Sequence, residues 1–350
     1  MRLPAESESN VRSGSDHAAP RWGNRLLRLA LAVLATAGVL HVSGVRAWPF
    51  ELVHHLIPQY GLAGVGVAAA ALLLRRHRQL VTAILLAAYF GLVHWTAALP
   101  GAARSEAGAA VSQGVGVSEP AARVTVITNN VYVLNHRRPD LLKWLAGRPA
   151  DVIALQEVDG RLSDRLRAGE DGYRYRLVAE EKLVTRDGWP ARESITILSK
   201  FPILEHRSLR PWAQAWQVVL ARLDVAAGLH PWIVAIHAPS PIYKDGLPTR
   251  DLIFEKLGEV IAGLDGPVIV VGDFNASPYT PAFRGFVDVA GLATFRRLPA
   301  SYPARVGGLG VPIDHVLGRG VRIAELHALR PIGSDHRPLA ATIILSTEAP

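Results

Sequence analysis

The first hundred residues contain three long apolar runs, whereas the rest of the chain contains many short ones. The long runs lie over Leu26–Val45, about Leu52–Leu74, and Leu80–Leu99. Each approaches the ~20 residues that a helix needs to cross the ~30 Å hydrocarbon core of a bilayer. A buried helix and a cleavable signal peptide are the alternatives, but arginines stand only at the margins and further runs follow the first. We therefore predict a three-helix transmembrane anchor over residues 26–100, with the second run the weakest of the three.

The basic residues that flank these runs predict the orientation of the anchor. They are Arg12, Arg21, Arg25 and Arg28 before or at the start of the first run, Arg46 between the first and second runs, and Arg75, Arg76 and Arg78 between the second and third runs. Lys and Arg are enriched in short loops on the cytoplasmic side. The pattern predicts a multi-pass protein of the plasma membrane with a cytoplasmic N-terminus and an extracellular or periplasmic C-terminal domain.

Composition divides the remaining chain into segments. Residues 1–25 are polar and are predicted to form a disordered cytoplasmic tail. Residues 101–120 are rich in Gly, Ala and Ser and are predicted to be a flexible linker. Residues 121–350 then form a separate domain, which contains most of the charged residues.

The C-terminal domain shows short β-branched runs separated by helical or polar stretches. Helices are predicted over Pro139–Leu145 and Thr249–Leu264, the second from apolar positions at helical spacing. The predicted strands are Val124–Thr128, Val152–Leu155, Ser194–Leu198, Val218–Leu223, Trp232–His237, Val268–Val271, Asp314–Leu317 and Leu339–Leu345. Strands of this number mixed with helices favour an α+β domain in which two packed sheets are covered by helices.

Polar side chains collect at the ends of these predicted strands. They are Asn129 and Asn130, Glu157, His237, Asp273 and Asn275, Asp314, and Asp335 with His336. Any one of them is commonplace, because a strand that leaves the core meets water, and a single histidine is more often structural than a ligand. Asp314 is less ordinary, since a buried carboxylate has to be paired or hydrogen-bonded. Together they predict a polar site built on converging strand ends.

Composition narrows the chemistry available to such a site. The chain has no cysteine, which excludes disulfide scaffolds, thiolate zinc sites and cysteine nucleophiles. Its net charge is +8, of which residues 1–120, with 10 Lys and Arg against 6 Asp and Glu, contribute +4. The surplus left for the C-terminal domain is too small to argue by itself for a nucleic-acid partner.

The ordered motifs Leu155-Gln-Glu157, Gly272-Asp-Phe-Asn275 and Ser334-Asp-His336 resemble those of the endonuclease/exonuclease/phosphatase (DNase I-like) superfamily, here in a bacterial membrane-anchored form. The resemblance extends over about residues 123–345. It implies a four-layer α/β/β/α sandwich, which three transmembrane helices would precede. It also implies a hydrolase that cleaves phosphodiester or phosphomonoester bonds by in-line attack of water and uses Mg²⁺, with Mn²⁺ as an alternative.

The same resemblance implies a role for each polar residue. Glu157 is similar to the principal metal ligand, helped by Asn130, with Asp335 near this metal or a second one. Asp273 resembles the carboxylate that aligns or deprotonates water. Asn275 would contact a phosphate oxygen or the attacking water, and His237 would contact a non-bridging phosphate oxygen. His336, oriented by Asp314, would stabilise the negative charge that develops at the phosphate. Mg²⁺ does prefer such oxygen ligands, and a buried carboxylate beside a histidine favours its cationic form.

The sequence does not determine the identity of the substrate or the role of Arg250. A nucleic acid and a phospholipid head group are both possible substrates for a site that the anchor holds at a lipid bilayer, and no obligate protein partner is evident. Arg250 is interpreted as a solvated arginine at a helix start, with phosphate contact as the alternative. A catalytically inactive binding or scaffold module is the alternative to an enzyme, but every position of the motifs is filled.

Overall fold

The computed structural model describes residues 21–96, 121–147, 150–179, 182–186, 189–209, 217–295 and 298–346. Its helices are α1 (Arg21–Ser43), α2 (Ile57–Leu73), α3 (His77–Thr96), α4 (Arg138–Ala146), α5 (Gly160–Arg167), α6 (Gly246–Ala262) and α7 (Pro281–Val289), with 3-10 helices over Phe50–Leu56 and Ala304–Leu309. Its strands are β1 (Ala122–Asn130), β2 (Val152–Asp159), β3 (Tyr175–Val178), β4 (Lys182–Arg186), β5 (Trp189–Ser199), β6 (Ile203–Leu209), β7 (Val218–Leu223), β8 (Trp232–His237), β9 (Val268–Asp273), β10 (Ala293–Thr294), β11 (Asp314–Arg319), β12 (Arg322–Ala328) and β13 (Leu339–Leu345). The predicted linker, residues 101–120, and residues 1–20 of the predicted tail lie outside the described residues.

Three helices in the N-terminal part are long and apolar enough to cross a membrane: the segments Trp22–Ser43, Phe50–Leu73 and His77–Thr96. The first begins inside the predicted tail, because α1 starts at Arg21 and not at residue 26. The second combines the 3-10 helix with α2, where a proline in the first turn suits a helix start. α2 itself has 17 residues and is therefore about 26 Å long.

The C-terminal part contains two mixed sheets. One has the order β12-β13-β1-β2-β5-β3, with β4 also paired to β5, and the other has the order β10-β11-β9-β8-β7-β6. Apolar side chains of both sheets meet in one core that includes Val126, Ile197, Val271 and Ile343. The outer face of the first sheet packs on α4 and α5, and that of the second packs on α6 and α7. The predicted four-layer α/β/β/α sandwich is confirmed.

Five strands of the described chain are not predicted by the sequence, and they share a position in the sheets. β3, β6, β10 and β12 end the two sheets, and β4 pairs with β5 alone. β6, with the sequence ILEHRSL, shows why: one of its long edges faces solvent and tolerates charged side chains. Such a strand lacks the continuous apolar run that identifies the central strands.

Gly272, in β9, occupies a position where the backbone permits no side chain. Its φ is +141°, and a Cβ there would overlap the carbonyl oxygen of Ile236 on β8. We expect Gly272→Ala to lower the free energy of unfolding by about 2–4 kcal/mol, because the two strands would have to separate. Denaturant titration of the full-length chain measures this loss.

Gly285, on the exposed face of α7, provides the matched control. A Cβ added there meets no atom within 4 Å, and alanine is favoured over glycine inside a helix by about 1 kcal/mol. Gly285→Ala should therefore leave stability unchanged or raise it. Equal destabilisation by both substitutions would contradict the close approach of β8 and β9.

Candidate active site

The strand register of the second sheet places three of the predicted site residues side by side. β8 and β9 run parallel with His237 opposite Asp273, and β11 runs antiparallel to β9 with Asp314 opposite Asp273. The three side chains are 3%, 1% and 2% exposed. A row of ionisable groups this deeply buried has to be compensated by hydrogen bonds or opposite charge.

Glu157 reaches the same region from the first sheet through a β-bulge. The register between β2 and β5 shifts between Leu155 and Val158, and Glu157 has a positive φ of 55°. A bulge re-aims a side chain that regular pleating would direct elsewhere, and the left-handed conformation costs about 1 kcal/mol. The backbone N–H of Val133 donates a 3.0 Å hydrogen bond to Oε2 of Glu157 and fixes the carboxylate.

Asn130 joins the two sheets at the end of β1. Its Nδ2 donates to Oε1 of Glu157 at 3.1 Å and to Oδ2 of Asp273 at 3.0 Å. Its Oδ1 accepts from the backbone N–H of Tyr132 at 3.0 Å. An amide nitrogen cannot ligate a cation. Asn130 can therefore bind a metal only if its side-chain amide rotates to direct Oδ1 at the ion, which breaks the hydrogen bond from the Tyr132 N–H. In this arrangement Asn130 bridges two carboxylates.

Asn275 follows Asp273 in a tight turn. Its φ is +47°, its backbone N–H donates to Oδ1 of Asp273 at 2.9 Å, and its Nδ2 donates to Oδ2 of Asp273 and to the carbonyl of Ala238. Burial raises the pKa of Asp273 to about 7, with the charge of Asp314 adding to this effect, whereas His336 and the hydrogen bonds from Asn275 and Asn130 oppose it. A carboxylate with such a pKa can accept a proton near neutral pH.

His336 lies against Asp314 and near Asp273. Its Nδ1 is 2.8 Å from Oδ2 of Asp314, and its Nε2 is 3.7 Å from Oδ2 of Asp273. Burial lowers the pKa of His336, but the charges of Asp314 and Asp273 outweigh this and raise it to about 10. Tyr302, which the sequence does not single out, packs on the imidazole with ring centroids 4.9 Å apart. The ring is therefore held in place and cationic at neutral pH.

His237 stands between the carboxylates of the two sheets. Its Nε2 is 3.5 Å from Oε1 of Glu157 and 3.9 Å from Oδ2 of Asp273, and its Nδ1 is 3.8 Å from Oε1 of Glu193. Glu193 is 1% exposed and is missing from the predicted site. It immediately precedes the predicted strand Ser194–Leu198, so an acidic residue at the start of a buried strand was the available signal.

Asp335 and Arg250 are placed differently from expectation. The Asp335 side chain is exposed and belongs to neither of the two buried Asp, Glu and His clusters found in the described part of the chain. Its charge does contribute to the raised pKa of His336. The interpretation of Arg250 as a solvated arginine is wrong, because its side chain is wholly buried and hydrogen-bonded on several sides.

The donor atoms of the site suit a divalent cation. Glu157, Glu193 and His237 form one cluster whose ligand atoms lie within 4.8 Å of one another, and Asp273, Asp314 and His336 form another. Four buried carboxylates against two histidines leave an excess of negative charge that a cation would compensate. Mg²⁺ binds one or two carboxylates and keeps several waters. Glu157 would hold it, and the ion would supply positive charge next to a substrate phosphate.

Known structures share this fold. An endonuclease/exonuclease/phosphatase from Beutenbergia cavernae superposes with a TM-score of 0.53 at 17% identity, covering 65% of this chain and 72% of its own. A family protein from Bacteroides thetaiotaomicron gives 0.52 at 16% identity, covering 64% and 96%. The human Nocturnin catalytic domain gives 0.51 at 17% identity, covering 63% and 94%. Identities this low show the fold alone.

Sequence comparison gives two further results. A UPF0294 protein of Yersinia enterocolitica is 35% identical over 109 residues, and one of Vibrio cholerae is 30% identical over 139 residues. These matches cover 31% and 38% of this chain, and the chain spans less than half the length of either relative, 40% and 47%. The sequence model described as Endonuclease/Exonuclease/phosphatase family matches residues 128–336, which include the strand-end residues of the site.

Proposed function

The chain belongs to the endonuclease/exonuclease/phosphatase family, and from this premise we propose that it is a membrane-anchored, Mg²⁺-dependent phosphoesterase. Members of the family are metal-dependent phosphoesterases. The observation that carries the proposal is the convergence of Glu157, His237, Asp273 and His336 at one end of both sheets. Mn²⁺ is an alternative to Mg²⁺, and the substrate is a phosphate ester of nucleic acid or of a phospholipid head group.

The geometry supports a division of labour in an in-line attack of water on phosphorus. Asp273, with a pKa near neutrality, takes the proton of the attacking water, and Asn275 orients that water or a phosphate oxygen. His237 donates a hydrogen bond to a non-bridging oxygen. The cationic His336, held by Asp314, stabilises the negative charge that develops on the non-bridging phosphate oxygens as the ester oxygen leaves with the electrons of the broken P–O bond. A metal held by Glu157 would add positive charge at the same phosphate.

An inactive binding module of the same fold is the competing hypothesis, and a substrate panel separates the two. The full-length chain is assayed with bis-p-nitrophenyl phosphate, DNA, RNA, inositol phosphates and phospholipid or sphingomyelin vesicles, each with and without Mg²⁺. Metal-dependent turnover of at least one ester supports an enzyme and identifies its substrate class. Binding without turnover of any of them supports the inactive module.

The proposed orientation puts the C-terminal domain on the non-cytoplasmic side. Asn24 and Gln79 are hydrogen-bonded at one end of the helix bundle, where the arginines cluster. Glu51, at the other end, contacts the C-terminal domain. Since basic flanks stay in the cytoplasm, this arrangement supports an outward-facing domain.

The absence of cysteine makes this orientation directly testable by labelling. Ser208→Cys, on the exposed part of β6, should react with a membrane-impermeant maleimide in intact cells. His77→Cys, exposed at the start of α3, should react only after the membrane is permeabilised. The reverse pattern would contradict the proposed topology.

A further inference from the structure

The segment Asp273–Thr280, which starts at the last residue of β9, is here called the active-site loop, and the anchor helices contact its C-terminal end. Tyr279 is 3% exposed and packs among Leu34 of α1, Ile57 of α2 and Phe90 of α3. Its hydroxyl is 2.6 Å from Nδ1 of His94, near the end of α3. Side chains of all three apolar helices therefore enclose a residue of this loop.

The middle of the active-site loop contacts the 3-10 helix Phe50–Leu56, which begins the second apolar segment. The Ser277 hydroxyl donates a hydrogen bond to the carbonyl of His54 at 3.3 Å, and it is fully buried. A buried hydroxyl that donates to a main-chain carbonyl fixes the separation of the two segments. The loop is thus fastened to the anchor at two points beyond the proposed catalytic residues.

The third contact reaches the proposed catalytic turn itself through Arg250 of α6. Its Nη1 donates to the carbonyl of Asn275 at 3.1 Å, and its Nη2 donates to Oε1 of Glu51 at 2.7 Å. Arg250 and Glu51 are 0% and 1% exposed. A guanidinium can hold several acceptors in one plane, so the carboxylate in the 3-10 helix sets where Arg250 places the Asn275 carbonyl.

This buried pair continues into a larger network across the same boundary. Nε and Nη2 of Arg250 also donate to Oδ1 of Asp251. Oδ2 of Asp251 accepts two hydrogen bonds from Arg46, which lies between α1 and the 3-10 helix. The anchor therefore supplies one charge of each sign. Among the described residues, removing Glu51 would leave the guanidinium with Asp251 as its one acidic partner, and Arg46 already shares that carboxylate.

The contacts of Asn275 explain how the hydrogen bond from Arg250 can affect Asp273. A positive φ is uncommon outside glycine, although asparagine adopts it more readily than most residues, and Asn275 has φ +47°. Its N–H and amide bind Asp273 while its carbonyl binds Arg250. A displacement of that carbonyl would therefore be transmitted to Asp273 within the same turn.

We infer that the membrane anchor positions the active-site loop, with Glu51 acting through Arg250 on the Asn275–Asp273 turn. Glu51 and Arg250 are thus positioning residues for the proposed phosphoester hydrolysis, on which the catalytic part of this inference rests. The apolar helices then contribute to the geometry of the site in addition to holding it at a bilayer.

The test compares Glu51→Gln with Glu51→Asp in the full-length chain in lipid nanodiscs. Glutamine keeps the shape and loses the charge, whereas aspartate keeps the charge on a shorter side chain. We expect Glu51→Gln to lower kcat on bis-p-nitrophenyl phosphate by about 10- to 100-fold, because small displacements of reacting groups cost this much. KM should change little, and Glu51→Asp should retain more activity than Glu51→Gln. A role in packing alone would give the opposite order.

A second readout does not depend on activity. Hydrogen–deuterium exchange of the amides from Asn275 to Tyr279 should be faster in Glu51→Gln than in wild type. Glu255→Gln is the matched control, because Glu255 lies on the same helix as Arg250 but is exposed and paired with Lys256. It should leave both kcat and exchange unchanged.

The outcomes separate this inference from the proposed function. If Glu51→Gln exchanges its loop amides at the wild-type rate and keeps a kcat within about two-fold of wild type, the inference is overturned. The proposed phosphoesterase function would be unaffected by that result. A wild-type chain without turnover would remove the proposed function, and loop exchange would still decide the role of the anchor. If Glu51→Gln fails to fold, Tyr279→Phe, which removes only the hydroxyl next to His94, should accelerate loop exchange. Unchanged exchange in that variant would count against the inference.

Discussion

Glu157→Gln is expected to lower kcat/KM for metal-dependent hydrolysis by about 100- to 1,000-fold, on the scale of losing one main source of charge stabilisation. The substitution keeps the side-chain shape, and the neutral amide can still accept the hydrogen bond from Val133. It removes the negative charge that would hold the cation, so the Mn²⁺ concentration needed for half-maximal activity should rise as well. Initial rates over a Mn²⁺ titration measure both changes.

Glu205→Gln is the matched control for this loss. Glu205 lies on β6, is partly exposed and is paired with Arg207, so the same change of charge there should leave both parameters unaltered. Wild-type rates and an unshifted Mn²⁺ dependence in Glu157→Gln would remove Glu157 as the principal metal ligand.

Asp314→Asn is expected to lower kcat by about 100-fold near neutral pH and to change its pH dependence, since loss of a positioned group that stabilises transition-state charge costs on this scale. In the wild-type chain the pKa of His336 is about 10: burial lowers it, but the charges of Asp314 and Asp273 prevail. Loss of the Asp314 charge should lower the pKa of His336. The imidazole would then lose its proton, and activity would decline, at a lower pH than in wild type.

The pH profile of kcat distinguishes this effect from a general loss of structure. Asp288→Asn, on the exposed face of α7, is the control and should reproduce the wild-type profile. A uniform loss of activity in Asp314→Asn, with the alkaline limb unmoved, would show that Asp314 does not set the charge of His336.

The central strands of the domain are predictable because burial on both faces leaves a local pattern. The bounds of β7, β8 and β13 agree with the predicted strands residue for residue. β6 and β12 are not predicted, because a strand at the edge of a sheet carries charged residues that interrupt any apolar run. Local sequence therefore indicates the interior of the sheets more clearly than their margins.

The site divides in a similar way. Asp273 and His237 are visible in the sequence because each ends a continuous apolar strand, and the parallel register then makes them neighbours. The burial of Arg250 is not visible in the sequence, because its partner Glu51 lies 199 residues away. Helical spacing alone places Arg250 in the first turns of a helix. It does not show whether other residues bury the Arg250 side chain. Asp251 is its neighbour in the sequence, but the partner Glu51 is supplied by the packing of the N-terminal helices on the domain.

The most direct test of a metal-dependent phosphoesterase is hydrolysis of bis-p-nitrophenyl phosphate by the full-length wild-type chain in ¹⁸O-labelled water. The chain is first freed of divalent cations by chelation and then titrated with Mg²⁺ or Mn²⁺. We expect no turnover before the metal is added, turnover that saturates with the metal, and one solvent oxygen in each p-nitrophenyl phosphate product. Turnover that persists after chelation would contradict a metal-dependent site. Solvent oxygen found in the nitrophenol would contradict attack of water on phosphorus.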